Sequence, residues 1–401
     1  MMNKSSFSVL TVVAFALAVS WVVTQAPAQP KHQARQRARP QRRTAVVHLN
    51  PPGKDITFDL VTALTYQPDE IHIPRGDWQI SKTIYLDAGH KRMRITGPRK
   101  GATLQWTGRK QGVMFHLQGA NWIDFQDLTL HGGGKKQGTR LIVLRSQKGH
   151  ATGNLIMTRC KLAHAAVGVM FGATPHETNC DNSRFYQVKV DHCGIGFWVR
   201  TEQAMNFTCE ALWAYWTDTV WQLDRGGLLL VNGAQTGGIG TFLQVNNGAV
   251  NVGVAATLIN VRNEARTNNY RLVKAMAKWN SVVNIIGYAS TMTGNQLDKP
   301  LHDLLIGPGN HVNVIGSTFA NPMRIAELRG TKQKPATLTM TGCMFFAPLD
   351  PDSFNLKGPN DEATVNFHRN GRTTYQHSIL KGAGHQNGGG GQAHDDAPTQ
   401  P

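Results

Sequence analysis

Seven asparagines stand ahead of seven similar short apolar segments: Asn121, Asn154, Asn182, Asn206, Asn251, Asn280 and Asn310. The gaps are 33, 28, 24, 45, 29 and 30 residues, and 45 divides into two turns of about 22 with one asparagine missing. No other feature constrains the fold as strongly. Repeats of about 20–50 residues build stacked, quasi-one-dimensional folds, because each unit buries its apolar face only against its neighbours. Asn tolerates tight-turn backbone angles and bonds its own backbone. Stacked coil upon coil, the amides can also bond one another along the axis, a scaffold role.

The segments between the asparagines read as strands. Ile71-His72-Ile73, Trp78-Gln79-Ile80, Ile84-Tyr85-Leu86, Met93-Arg94-Ile95 and Thr103-Leu104-Gln105-Trp106 are short runs punctuated by Gly, Pro and Asp. Residues 112–132 show one full unit, with strands at Val113–Leu117, Trp122–Phe125 and Leu128–Leu130. Such short strands hold only if neighbouring coils pair them in parallel. Phe58–Leu64 is expected to form a helix that caps the first coil.

Two offsets align later coils. A shift of 28 matches Lys161 with Lys189, Leu162 with Val190, His164 with His192 and Gly168 with Gly196. A shift of 24 takes Asn182 to Asn206 and Val188 to Leu212. The run at 196–199 recurs at 219–223 and 240–245. Strand alternation predicts inward faces of Thr158, Cys160, Leu162 and of Tyr186, Val188, Val190. His164 and His192 are expected to stack one coil apart.

The ends differ from the middle. Residues 1–28, with Lys4, an apolar run from Phe7 to Val23 and Ala26-Pro27-Ala28, read as a signal peptide or an uncleaved anchor. Six bases follow the run, which favours the anchor by charge bias. Residues 29–44 read as a basic flexible linker, 45–381 as the repeat domain and 382–401 as a disordered Gly-rich tail. Secretion, the periplasm or the cell surface is therefore the expected location, with membrane contact only through the N-terminal segment. Beyond residue 43 the chain keeps 35 bases against 25 acids, a balance of +10. That favours an anionic partner, with an acidic polysaccharide foremost. No nucleic-acid module is visible. Cys160, Cys180, Cys193, Cys209 and Cys343 lack zinc-site spacing; one or two disulfides or small buried core positions are the alternatives. No cofactor can be named, and no metal site is expected.

Residues of roughly 45–350 resemble the right-handed parallel β-helix proteins of the pectate-lyase-like superfamily. The resemblance rests on Ile71–Trp78, Arg94–Gly97 and Asn121–Gly132. It implies an all-β solenoid with three short strands per coil. It leaves the reaction open, since that fold hosts lyases, hydrolases, epimerases and binders. The Asn-Thr-Asp, Asp-Asp, Gly-His-Gly and Arg-Ile-Lys signatures of polygalacturonase-type hydrolases are absent from the repeat region. Asn179-Cys180-Asp181-Asn182 lacks its partners, and no acidic cluster suggests the calcium site of pectate lyases.

Residues 191–225 are densest in chemistry. Aromatics among charges suit sugar rings, whose C–H faces stack on aromatic planes; core stacking is the competing role, above all for Trp221. Alternation turns Phe197, Val199, Trp221 and Leu223 inward, and Trp198, Arg200, Gln222 and Asp224 outward. Trp198, Gln222 and Gln244 are the candidate substrate-binding residues. The candidate catalytic residues are Arg200, Asp224, Arg225, Lys274 and His192. A uronate lyase needs a cation, a base and an acid; Arg200, Arg225, Arg262 or Lys274 can supply the first, and His192, Lys274 or Tyr215 the second. A hydrolase needs two carboxylates about 5–10 Å apart, for which Asp218 or Glu202 with Asp224 are candidates. Gly132–Lys136 lacks the ending of a phosphate loop and reads as a flexible loop.

Overall fold

The computed structural model describes residues 45–381 except 100, 148–149, 178–179, 248–252, 266, 268, 291–300, 320–323, 346–352, 357–361 and 369–374. The expected signal or anchor, the linker, the Gly-rich tail, Asn179 and Asn251 lie outside the described residues.

The chain is an all-β parallel solenoid of about ten turns. Its strands form a larger sheet and a smaller one of 22 and 11 strands among the described residues. One coil shows the pattern. Ile156–Thr158 and Lys161–Ala163 join the larger sheet, and Val167–Phe171 joins the smaller. The next coil repeats it with Arg184–Tyr186, Lys189–Asp191 and Ile195–Val199. From Phe207–Tyr215 onward several coils fuse the first two segments into one bent strand. Among the described residues the strands pair in parallel except the last two, Glu362–His368 and Tyr375–Lys381, which are antiparallel.

The alignments drawn from sequence hold. Lys161 pairs with Lys189 and Leu162 with Val190. Arg184 pairs with Thr208 and Lys189 with Trp213, which gives the 24-residue shift. Phe197, Trp221 and Leu243 share one column of the smaller sheet. The 45-residue gap does hold an extra turn, since Thr208 pairs with Leu230 and Leu230 with Thr257.

The interior is a set of apolar ladders. Phe125, Met157, Phe185, Cys209, Val231, Leu258 and Ile285 occupy one column, all fully or almost fully buried. Phe197 and Trp221 stack with ring centroids 4.2 Å apart, so Trp221 is a core residue. Each large apolar side chain buried this way stabilises the fold by about 1.5–3 kcal/mol. The five cysteines are free, so the disulfide alternative does not apply. Four of them are buried, and burial pushes the Cys160 thiol up to about 12.

The helix is present as Thr57–Thr65. Ile56, Leu60, Ala63 and Leu64 make a buried stripe at helical spacing, and the helix packs beside Ile84–Leu86, the first strand of the smaller sheet. The carboxylate of Asp55 accepts the Thr57 N–H at the helix start.

Two turn columns carry the coil's corners. Between the two segments of the larger sheet, Asp127, Arg159, Gln187, Ala211, Gly233, Asn260, Gly287, Gly316 and Gly342 all adopt left-handed backbone angles. This column corrects the simple alternation predicted across 158–162 and 186–190. A left-handed residue reverses the pleat, so Met157 and Phe185 point inward while Thr158 and Tyr186 point outward. The second column holds Arg92, Trp122, Asn154, Asn182 and Asn206, again left-handed. Asn154 donates its amide to Asn121 Oδ1 at 2.7 Å, so one rung of the expected amide ladder is present. Asn121 itself stands one residue before the left-handed position, which Trp122 occupies. Asn310 has a separate role: it is buried and bonds Ala277 and Ser281 of the preceding coil.

Candidate functional site

Most of the candidates lie on the outer face of the smaller sheet. Trp198, Gln222, Gln244 and Lys274 form one column there, followed by Leu305 and Glu327. Arg200, Asp224 and Asn246 follow their strands at the same edge. Asp224 organises this surface. Its carboxylate accepts Trp198 Nε1 at 2.7 Å, Gln222 Nε2 at 3.0 Å and Asn246 Nδ2 at 2.6 Å. Gln244 Nε2 extends the chain to Asn246 Oδ1. The Arg200 guanidinium covers the Trp198 ring, 4.6 Å from its centroid, and the indole flanks the apolar cluster of Val143, Val167 and Met170. Arg225 pairs with Glu202 at 2.7 Å. Farther along, Arg271 and Arg329 hold buried Glu327. The acids of this face are thus engaged with neighbouring donors.

His192 lies elsewhere. It follows Lys189–Asp191 on the larger sheet, at the corner that turns toward the smaller one. The outer face of this segment presents Lys161, Lys189, Trp213, Gln235 and Arg262 in one column, with Asp191 and Tyr215 in the next. Asp191 is the hub. Lys161 Nζ approaches its Oδ2 at 2.7 Å, Lys189 Nζ at 3.8 Å, and His192 Nδ1 meets Oδ1 at 2.8 Å. Burial would push the Asp191 carboxyl up, but the bonds from Lys161 and His192 and the two lysine charges hold it below the usual range. Lys189 Nζ sits 5.2 Å from the Tyr215 ring centroid. Burial, with the charge of Glu264, raises the Tyr215 hydroxyl above its ordinary value.

The imidazoles form a ladder, as the 28-residue shift predicted. His164 and His192 stack at 4.7 Å and 16°, His131 adds a third ring 4.6 Å from His164, and Trp216 extends the series at 6.2 Å. Trp216 has a left-handed backbone and is 55% exposed. Its ring lies on Gly238, where a Cβ would come within 2.5 Å of the indole. The glycine-rich loop before it is pinned: Lys135, on a short 3₁₀ turn, reaches Asp218 at 2.6 Å. Among the described residues, no group of three His, Cys, Asp or Glu is arranged to hold a metal ion.

The structure therefore separates what sequence density placed together. Trp198, Arg200, Gln222, Asp224, Gln244 and Lys274 share one surface; Arg225 lies just past it, and His192 belongs to another. Lys161, Lys189 and Asp191 were not among the candidate catalytic residues. Their signal was the 28-residue alignment itself, which superposed two lysines and two histidines on adjacent coils.

The chain is a parallel β-solenoid, and its solved structural neighbours are right-handed β-helix proteins. Twenty-eight solved chains match it. DFA-IIIase from Arthrobacter chlorophenolicus A6, solved in complex with GF2, aligns with a TM-score of 0.51 and 13% identity over 81% of this chain and 94% of that one. A variant of the same enzyme in complex with DFA-III gives 0.50 and 13%, over 79% and 87%. The enzymatically active domain of Bacteriophage CBA120 tailspike protein 4 gives 0.52 and 12%, over 74% of this chain and 43% of that one. No protein-family model matches the sequence, and neither does any curated protein.

Proposed function

We propose that this is an exported β-helix protein that acts on an acidic polysaccharide by β-elimination, at the outer face formed by Lys161, Lys189, Asp191, His192 and Tyr215. One observation carries this reading. Adjacent coils place two lysines in register beside a histidine that is held by a carboxylate, with a tyrosine hydroxyl on the next coil. The structural neighbours, a DFA-IIIase and a tailspike's enzymatically active domain, support polysaccharide as the substrate class. The basic balance of the chain supports an anionic one.

Each group has a role that its surroundings suit. Lys189, with Lys161, neutralises the uronate carboxylate, which acidifies the adjacent C–H. Ionised Asp191 accepts the Nδ1 proton of His192, leaving Nε2 as the basic nitrogen. His192 Nε2 takes the proton next to the carboxylate. The electron pair forms the new C=C bond as the C–O bond to the leaving sugar breaks. Tyr215, kept protonated by its raised hydroxyl, gives its proton to that oxygen. A hydrolytic pair is less well served, because the Asp224 oxygens already accept three donors and Asp218 is held by Lys135. Trp198, Gln222, Gln244, Arg200 and Lys274 then line a flanking polar surface for the chain of the polymer.

In the same reading the coil is a three-segment unit, and the helix Thr57–Thr65 caps the first turn. Residues 1–28 direct export as a cleaved signal or an anchor, and 29–44 form the linker. The test is incubation with a panel of uronate polysaccharides, recording ultraviolet absorbance of unsaturated ends and, separately, reducing ends. Both should rise together. Reducing ends without unsaturated ends would mean hydrolysis. Silence on both, with binding on a glycan array, would mean a non-catalytic binder.

A further inference from the structure

We infer a second saccharide site, for a neutral sugar ring, in a recess on the first segment of the larger sheet. The recess has a volume of about 450 Å³ and is lined by Asp69, Glu70, Arg92, Arg94, Trp122 and Asp124, with Met93 and Ile156 at its base. That size falls in the range of about 300–1,000 Å³ common to small-ligand sites. It shares no lining residue with the Lys161–Tyr215 face or with the Asp224 network.

Three observations converge on a sugar. The first is the platform. Trp122 is 44% exposed at the recess and offers an aromatic plane of the kind on which sugar C–H faces stack. The second is the set of polar edges. Glu70, Arg94 and Asp124 stand in one column on successive coils. Arg94 Nε donates to Asp124 Oδ2 at 2.9 Å, and its Nη1 lies 3.8 Å from Glu70 Oε2. The other oxygen of Asp124, Oδ1, is buried without a hydrogen-bond partner. That oxygen is closed to the recess, so the polar group most open to a ring on Trp122 is the Arg94 guanidinium, 48% exposed. Glu70 is meanwhile fixed by His72 at 2.9 Å, and the His72 ring stacks on His48. The third is the turn column. Asn154 and Asn182 hold its left-handed positions in the next two coils, yet Arg92 and Trp122 hold them here. A bulky aromatic is an outlier at such angles, where Asn is enriched. Asparagine at 122 would suit the turn better, and the indole that stands there instead lines the recess.

Charge selects the class of sugar. Three carboxylates against two guanidinium groups leave the recess with one negative charge in excess. It therefore disfavours uronates, which the lysine face attracts, and suits an uncharged hydroxyl-rich ring. The site stands whether or not the lysine face is an active site.

The experiment uses the full chain and isothermal titration with neutral tetrasaccharides of glucose, galactose, mannose or fructose, with tetragalacturonate as the charged comparator. At least one neutral tetrasaccharide should bind. Trp122→Asn should weaken it by about tenfold or more, while thermal stability stays level or rises because asparagine suits the turn. Asp124→Asn should weaken it also. Lys189→Met should leave neutral binding unchanged, and Trp122→Asn should leave tetragalacturonate binding unchanged. The inference is overturned if no neutral tetrasaccharide binds the native chain, or if Trp122→Asn binds as tightly as the native chain.

Discussion

Asp191, buried, and Asp224, partly buried, are both carboxylates on outer faces, and their partners differ in kind. Asp224 is surrounded by neutral donors, the indole of Trp198 and the amides of Gln222 and Asn246. Those bonds tie three coils together and fill its oxygens. Asp191 is surrounded by groups that carry or exchange protons: Lys161, Lys189 and His192. It leaves the lysine charges in excess by one and orients an imidazole. Similar residue types thus make a polar clasp on the smaller sheet and a poised acid–base cluster on the larger. What decides is the chemistry of the partner one coil away, which a fold built by stacking sets through register.

This contrast can be broken by substitution. His192→Asn should lower the elimination rate by about 10²–10⁴-fold, read from unsaturated ends, while Asp224→Asn should leave it within a few-fold of native. Lys189→Met should cost about 10²–10³-fold in the same assay. Comparable losses at Asp224 would erase the distinction. In chemical denaturation the order reverses. Asp224→Ala should destabilise by about 1–3 kcal/mol, since it strands the donors of Trp198 and Asn246, and Lys189→Met should change stability little.

The histidine ladder adds a pH signature. Burial, then the charges of neighbouring imidazole and lysine, holds His131 and His164 below the ordinary histidine value. A depressed folded value means the unfolded chain binds protons first. The ladder's contribution is therefore full above about pH 6.5 and is lost as pH falls through the lowered values. Thermal midpoints should drop between about pH 7.5 and pH 5.5, and His164→Asn should shrink that drop. The smallest expected effect is at the other corner. Ala211 is left-handed with a φ of 53°, and Ala211→Gly should stabilise by about 0.5–1 kcal/mol in equilibrium unfolding.

Register was the most legible property of this sequence. Inner ladders need similar apolar residues coil after coil, so the matches of Leu162 with Val190 and Val188 with Leu212 survive as visible similarity. The corners were less legible. Gly233, Gly287, Gly316 and Gly342, like Asp127, mark their turn by residue type, but Arg159, Gln187 and Ala211 do not, and there simple alternation fails. The site suffered the same way. Residues 192–194 turn the chain from one sheet to the other, so His192 and Trp198, six residues apart, face different surroundings. Gly194 marks that corner, but nearness along the chain does not show which sheet each flanking residue faces.

The most direct test of the central claim is the appearance of unsaturated ends from a uronate polymer, followed in parallel for the native chain, His192→Asn and Asp224→Asn. A poised cluster at Asp191 predicts absorbance growth in the native chain and in Asp224→Asn, and its near loss in His192→Asn. Growth undiminished in His192→Asn, or abolished only in Asp224→Asn, would contradict it and move the chemistry to the smaller sheet.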